Sequence, residues 1–376
     1  MHFGEPLPDE RLRDVLRPGR GIDTVITADA YGAGDADRTL GEALRGVDRE
    51  SYCLVGAIGH DFYTGERDGA KGFPRFTDAR LRGEAQCGEY IRMATERSLE
   101  RLGVERFDLL LLHNPDRTGY TSPAVWEGMQ DVRASGLTRL LGVAPGPANG
   151  FTLDLIACLE RFGELIDWAM IILGPMEPWP GELVLDAAVA HDVGVITRVV
   201  DYGGMFHDDV LPGHEFARHD HRRFRPEGWV AEGRVKLERM RPFAARHGLT
   251  MLQLACQWNL AHPAVRCVAP TLIQESGDDA RPIEDKRAEL AALAALRARP
   301  EAQLSTEEIE ALRAIGDNTG CMALKGASVR HEGEPLADRW PLDEGLRELA
   351  GRVGIDPEAM TATAGMGAAS PAGSGS

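Results

Sequence analysis

The sequence predicts a (β/α)8 barrel, and three observations carry that prediction. Short apolar runs alternate with longer helical patterns through most of the 376 residues. The runs are apolar nearly throughout, as strands buried on both faces of a parallel sheet are. No G-x-G-x-x-G follows any run, and the nearest glycine cluster, Gly142 to Gly146, has the wrong spacing for a dinucleotide fingerprint. Seven or eight such units fit a barrel better than a doubly wound sheet.

The elements follow in chain order. Residues 1–4 read as the remnant of a first strand, ahead of a helix over 9–16. The next strand is TVIT at 24–27, followed by a helical stretch at 39–44. YCLVGAI at 52–58 is the third, and the helix after it carries Ile91, Ala94, Leu99 and Leu102 on one face and ends at Gly103. FDLLLL at 107–112 precedes a helix over 123–133, and RLLGV at 139–143 precedes one over 153–161. WAMIIL at 168–173 leads to a helix at 182–191, GVIT at 194–197 to one at 233–247, and VRCV at 265–268 to one at 285–296.

Longer segments at 59–82 and 200–229 interrupt this rhythm after strands, where barrel insertions build the rim of the C-terminal face. The expected organisation is a barrel over residues 1–300, a C-terminal helical extension over 301–360 packed on it, and a disordered Ala/Gly/Ser-rich tail over 361–376.

Composition bounds the partners. Lys+Arg is 42 and Asp+Glu is 59, a formal net charge of −17, which disfavours a nucleic-acid partner. No apolar run approaches the roughly 18–20 residues of a membrane helix, and the N-terminal segment lacks an apolar secretory core. The six cysteines are scattered without a C-x-x-C pair, as reduced core thiols of a cytoplasmic protein are. No metal site is expected, because the H-x-H spacing of His219 and His221 is a weak metal signature.

Five segments in order resemble the aldo-keto reductase family: 21–34 (GIDTVITADAYGAG), 93–116 (MATERSLERLGVERFDLLLLHNPD), 140–145 (LLGVAP), 192–204 (DVGVITRVVDYGG) and 249–270. The resemblance covers roughly Gly21 to Leu296. It implies a barrel that binds NADP(H) or NAD(H) in a groove and transfers hydride to or from a carbonyl. In that family a Tyr acid, a Lys and an Asp behind it, and a carbonyl-orienting His serve the chemistry. Tyr31 matches the Tyr, at the end of T-A-D-A-Y, and His113 matches the His, directly before Asn114-Pro115.

The other positions depart. Ile26 stands five residues before Tyr31 where the family has Asp, and Ala57 stands at the Lys position. Without a nearby cation Tyr31 should keep its ordinary value of about 10, or rise above it if buried, and so act as an acid but not as a base. At the nicotinamide end, Ala144-Pro145 replaces Ser-Asn, Met170 replaces the Gln, and Leu173 aligns with the stacking Tyr. The adenosine end is better kept. Arg281, Glu284 and Asp285 match the family's Arg-x-x-Glu-Asn, with Asp in place of Asn, and Arg198 joins them as a cofactor-binding residue in the 192–204 segment.

His60, Asp61 and Lys71 are candidate substitutes for the missing Lys, and the run from Arg222 to Arg225 is a candidate anion grip in an acidic chain. Three functions stay open: an NAD(P)-dependent oxidoreductase on a small or sugar-like carbonyl, a redox-neutral lyase, dehydratase or isomerase reusing Tyr31 and His113 as acid and base, and a non-catalytic binding protein on an inactivated scaffold. The surviving adenosine end and half of the tetrad favour the first. NAD against NADP, the substrate and the oligomeric state are not encoded in these patterns.

Overall fold

A computed structural model of the chain describes residues 3–69, 72–146, 149–225, 227–319, 326–329 and 331–357. The lysine at 71, the cysteine at 321 and the tail over 361–376 lie outside the described residues.

Seven parallel strands form one sheet in chain order: β1 (Thr24–Ile26), β2 (Cys53–Ile58), β3 (Phe107–His113), β4 (Thr138–Ala144), β5 (Trp168–Ile172), β6 (Gly194–Arg198) and β7 (Val265–Ala269). Each pairs with the next in parallel register, for example Ala57 with Leu111 and His113 with Ala144. Helices connect them in the (β/α) rhythm. The helix Cys87–Leu102 is closed by Gly103 at φ +70°, the left-handed cap its glycine permits. The helix Met251–Leu260 opens on a capping box between Thr250 and Gln253.

The strand expected at residues 1–4 is not a strand at its described residues, Phe3 and Gly4, which form a bend. Gly4 takes φ +60°, and a Cβ there would lie 2.3 Å from the Gln274 carbonyl oxygen. Its N–H donates to the Asp220 carboxylate at 2.8 Å, and the next N–H, of Glu5, donates to the Gln274 carbonyl at 2.8 Å. A left-handed glycine captured by a side chain is turned out of the extended conformation that a ladder needs.

Two apolar cores result. The larger lies between the sheet and its helices and includes Leu54, Leu110, Trp126 and Trp258, all fully buried. The smaller fills the barrel and holds Ala28, Val55, Ala57, Leu109, Leu111, Ala144, Met170 and Ile196, with Ile26 packed against it.

The C-terminal segment is not purely helical. Between the helices Thr306–Gly316 and Glu344–Arg352 it forms a two-stranded parallel sheet, β8 (Gly326–Ser328) and β9 (Arg339–Pro341). Trp340 of β9 is buried against Phe151 and Tyr120, beside the loops that follow β4 and β3. Its indole Nε1–H donates to Asp154 at 2.8 Å, and the Ala327 N–H of β8 donates to the other oxygen of Asp154 at 3.2 Å. Cys53, Cys87, Cys158, Cys256 and Cys267 are free thiols. Among the described residues, no helix is long and apolar enough to cross a membrane.

Candidate active site

Tyr31 and His113 meet at the C-terminal ends of the strands. His113 is the last residue of β3, and Tyr31 opens a tight turn, Tyr31–Gly34, just beyond β1. That turn needs its glycines: Gly34 has φ +94°, and a Cβ there would sit 2.8 Å from the Arg101 side chain. The two rings meet edge to face with centroids 5.6 Å apart.

Tyr31 is 52% exposed, yet the protein packed around its phenol raises its pKa above the ordinary value through desolvation. A cation opposes this shift, contrary to the expectation of none: Arg198, the last residue of β6, pulls the phenol down, but desolvation wins. Arg198 itself donates to the carbonyl oxygens of Pro145 and Gly146, at 3.2 and 2.8 Å.

His113 is buried, and desolvation, followed by the fields of His60, Arg75 and Arg198, holds its pKa well below the ordinary value. It is neutral at physiological pH. Its Nδ1 is buried with no partner among the described residues, so nothing there accepts a proton.

His60 is part of this cluster. Its ring lies 5.5 Å from that of His113, centroid to centroid. Nδ1 lies 2.9 Å from the Phe73 carbonyl oxygen, which fixes the proton there, and Nε2 accepts from Asn114 Nδ2 at 3.0 Å. Arg75 reaches the same ring at 2.9 and 3.1 Å. Desolvation and then Arg75 lower His60 to about 4. Asp61, its neighbour, is a structural residue: it pairs with Arg82 and accepts from Tyr63 N, Thr64 N and Thr64 Oγ1.

Four of the departing positions share one environment. Ile26, Ala57, Ala144 and Met170 all belong to the apolar interior of the barrel or pack on it. An ammonium group at 57 without a carboxylate at 26 would be an unpaired charge in that interior, so the two losses are coupled. Leu173, aligned with the stacking Tyr, is fully buried in the outer core and does not face the interior. Asp29, inside T-A-D-A-Y, is fully buried, and neither carboxylate oxygen has a partner among the described residues. Desolvation and then the field of Asp37 raise its pKa well above the ordinary carboxylate value.

At the far end, Arg281 precedes the helix Ile283–Ala291 and already donates to Glu289 at 2.7 Å and to the His207 carbonyl at 2.8 Å. Glu284 is exposed and takes a two-point pair from Arg11, at 2.6 and 2.8 Å, while Asp285 is exposed at the helix start. The run from Arg222 to Arg225 is not an open anion grip at its head. Arg222 is buried, held by Asp220 at 2.6 Å and Glu275 at 2.6 Å. No group of three or more His, Cys, Asp or Glu side chains is arranged to hold a metal among the described residues.

Sequence reasoning missed Arg75, because nothing in a local pattern shows that the loop after β2 folds its arginine onto His60. It also missed the electrostatic link between Arg198 and Tyr31, which joins residues from different strands.

The fold is a parallel (β/α) barrel with a Tyr–His pair at the C-terminal ends of its strands. Residues 5–281 match the Aldo/keto reductase family, and the chain belongs to that family. It is 28% identical over 172 residues to the D-threo-aldose 1-dehydrogenase of a Pseudomonas species, covering 42% of this chain and only 52% of that one. A probable aldo-keto reductase of Glycine max is 24% identical over 270 residues, 69% of this chain and 70% of that one. Among solved structures, the glycerol dehydrogenase of Gluconobacter oxydans superposes with a TM-score of 0.61 at 19% identity, covering 84% and 88% of the two chains. The holo form of an aldo-keto reductase from Bacillus halodurans gives 0.56 at 21% identity, covering 82% and 87%.

Proposed function

We propose that the protein interconverts a small or sugar-like carbonyl compound and its alcohol with NADP(H) or NAD(H). The observation that carries this reading is the Tyr31–His113 pair, 5.6 Å between ring centroids at the C-terminal ends of the sheet. Family membership supports it. So does the aldo/keto reductase of Klebsiella pneumoniae solved in complex with NADP and acetate, which superposes with a TM-score of 0.53 at 20% identity over 83% of this chain and 86% of that one.

When bound, a nicotinamide dinucleotide supplies or accepts the hydride. The residues present fit it unevenly but sufficiently. Arg198 is a guanidinium whose only hydrogen bonds among the described residues go to two carbonyls, with no carboxylate within 4 Å; it could donate to a carbonyl or phosphate oxygen of the dinucleotide. Arg281, Glu284 and Asp285 at the start of the helix Ile283–Ala291 would hold the adenosine end, with Arg281 sharing its guanidinium between Glu289 and the ligand.

The protein's own residues do the rest. Neutral His113 donates to the carbonyl oxygen and orients it. Tyr31, protonated at neutral pH, delivers the proton to that oxygen. Arg198 offsets negative charge as it develops on the phenol. The apolar interior beneath, from Ala57 to Met170, gives the reacting atoms a water-poor floor.

Nicotinamide fluorescence during titration with NADPH and NADH tests the reading, followed by dinucleotide oxidation across a carbonyl panel. No binding at saturating dinucleotide overturns it. Binding without turnover points instead to a binding role on this scaffold; a probable voltage-gated potassium channel subunit beta of Arabidopsis thaliana is 23% identical over 73% of this chain and 81% of that one. Unchanged activity in both Tyr31→Phe and His113→Ala would remove the assigned roles.

A further inference from the structure

Arg75 is built into the mouth of the barrel and has no counter-ion within 4 Å among the described residues. The loop after β2 doubles back so that Arg75 bridges His60 across an antiparallel pair. Flanking hydrogen bonds hold this turn, Asp61 N–H to the Pro74 carbonyl at 2.8 Å and Phe76 N–H to the Gly59 carbonyl at 3.1 Å. The guanidinium is therefore preorganised rather than a solvated surface group.

Its bonds are few. One terminal nitrogen sits against the His60 ring, at 2.9 and 3.1 Å, while Nε is buried without a partner. Among the described residues no carboxylate lies within 4 Å of Arg75. The acids whose field it feels are Asp116 and Asp338. Asp116 is already used, accepting from Gly119 N at 2.9 Å and Thr77 Oγ1 at 2.7 Å. A half-buried guanidinium beside a neutral imidazole is costly unless a ligand completes it.

The second cation of the mouth, Arg198, stands four strands away in sheet order, and both arginines act on His113. Glu177 is the carboxylate whose field reaches Arg198. In a chain of formal net charge −17, the space around Tyr31 and His113 is thus locally positive. Such an island concentrates anions.

We propose that the substrate is a short carbonyl compound bearing a carboxylate or phosphate, and that Arg75, supported by His60 and Asn114, binds that anionic group while Tyr31 and His113 take the carbonyl. This assignment of substrate class rests on the oxidoreductase reading above.

The test compares matched pairs with the dinucleotide that binds: butanal against 4-oxobutanoate, and dihydroxyacetone against its phosphate. The expected result is a preference for one or both anionic members in kcat/KM by about ten- to hundredfold, the size of a charge-assisted hydrogen-bond contact. Arg75→Gln should bring that ratio towards one through KM, and Arg75→Lys should restore part of it. Preference for the carboxylate alone or the phosphate alone identifies which anion is read. Equal turnover of both members, or a ratio unmoved in a folded Arg75→Gln, overturns the proposal and leaves the oxidoreductase reading intact. If no carbonyl is turned over, that reading fails, and calorimetric titration with 4-oxobutanoate then decides the anion site by itself. Binding that is lost in Arg75→Gln supports the site, and absence of binding to the parent protein overturns it.

Discussion

Tyr31 and His113 set the pH behaviour of the proposed reaction. His113 is held well below its ordinary value and His60 at about 4, so neither titrates between pH 6 and 9. Tyr31 is raised above 10 and keeps its proton through the same range. Carbonyl reduction should therefore show a flat kcat/KM from about pH 6 to 9, with a fall only in the alkaline range where the phenol ionises. Steady-state rates across that range check this, and a bell centred near pH 7 would contradict the neutral-histidine assignment. Two buried aspartates near the tyrosine turn show how environment separates like residues. Asp37 accepts from Thr27, Ser98 and Arg101, at 2.8, 2.8 and 2.9 Å, and is a paired charge. Asp29 has no such side-chain partners among the described residues, and desolvation, with the field of Asp37, raises its pKa well above the ordinary carboxylate value.

Among the elements, β8 and β9 carry a pH-dependent attachment. Asp154, on the helix Thr152–Phe162, joins them to the barrel and is raised to about 7, by desolvation first and against the bonds from Trp340 and Ala327. A carboxyl whose folded pKa lies above its unfolded one is held more tightly with its proton on. Its burial is least unfavourable at low pH, and stability is lost as pH rises from about 4 to about 7. Hydrogen exchange of the amides at 326–341 should accordingly quicken between pH 5 and 7.5, after correction for intrinsic exchange. Asp154→Asn, which keeps an acceptor for Trp340 but cannot ionise, should flatten that change. An unaltered slope in the variant would place the effect elsewhere. Buried Asp29 contributes a slope of the same sign to global stability, which is why the local amides are the better probe.

In the whole molecule the barrel has a seam, because no ladder joins β7 to β1 among the described residues. A buried ion network ties that region together instead. Asp220 accepts from Gly4 N–H, Arg222 pairs with both Asp220 and Glu275, and Lys286 pairs with Asp209 at 2.5 Å. Three distant stretches of chain are thus joined by charge rather than by strand pairing. Removing one member of a buried pair leaves the other uncompensated, so Arg222→Ala should cost about 3–5 kcal/mol. Urea unfolding measures this directly, and a loss within about 0.5 kcal/mol, the usual range for surface substitutions, would show that the seam does not depend on the network.

Much of this was legible in the sequence because it is written in local pattern. The seven apolar runs became β1 to β7 within a residue or two, since an apolar stretch buried on both faces has few alternatives. LLLLHNP placed His113 at a strand end for the same reason, since a strand fixes where its last residue goes, and T-A-D-A-Y placed Tyr31 in the turn just beyond β1. The resemblance read from the sequence puts Ile26 and Ala57 where the family has Asp and Lys. Only the tertiary structure decided what stands in their place. It brought Arg198 to Tyr31 from a distant strand, folded Arg75 back onto His60 within the loop after β2, closed Arg222 into ion pairs, and turned residues 3–4 out of the sheet. These outcomes depend on which distant groups share a desolvated space. Desolvation and Coulomb energies act through that space, and local residue patterns carry no record of it.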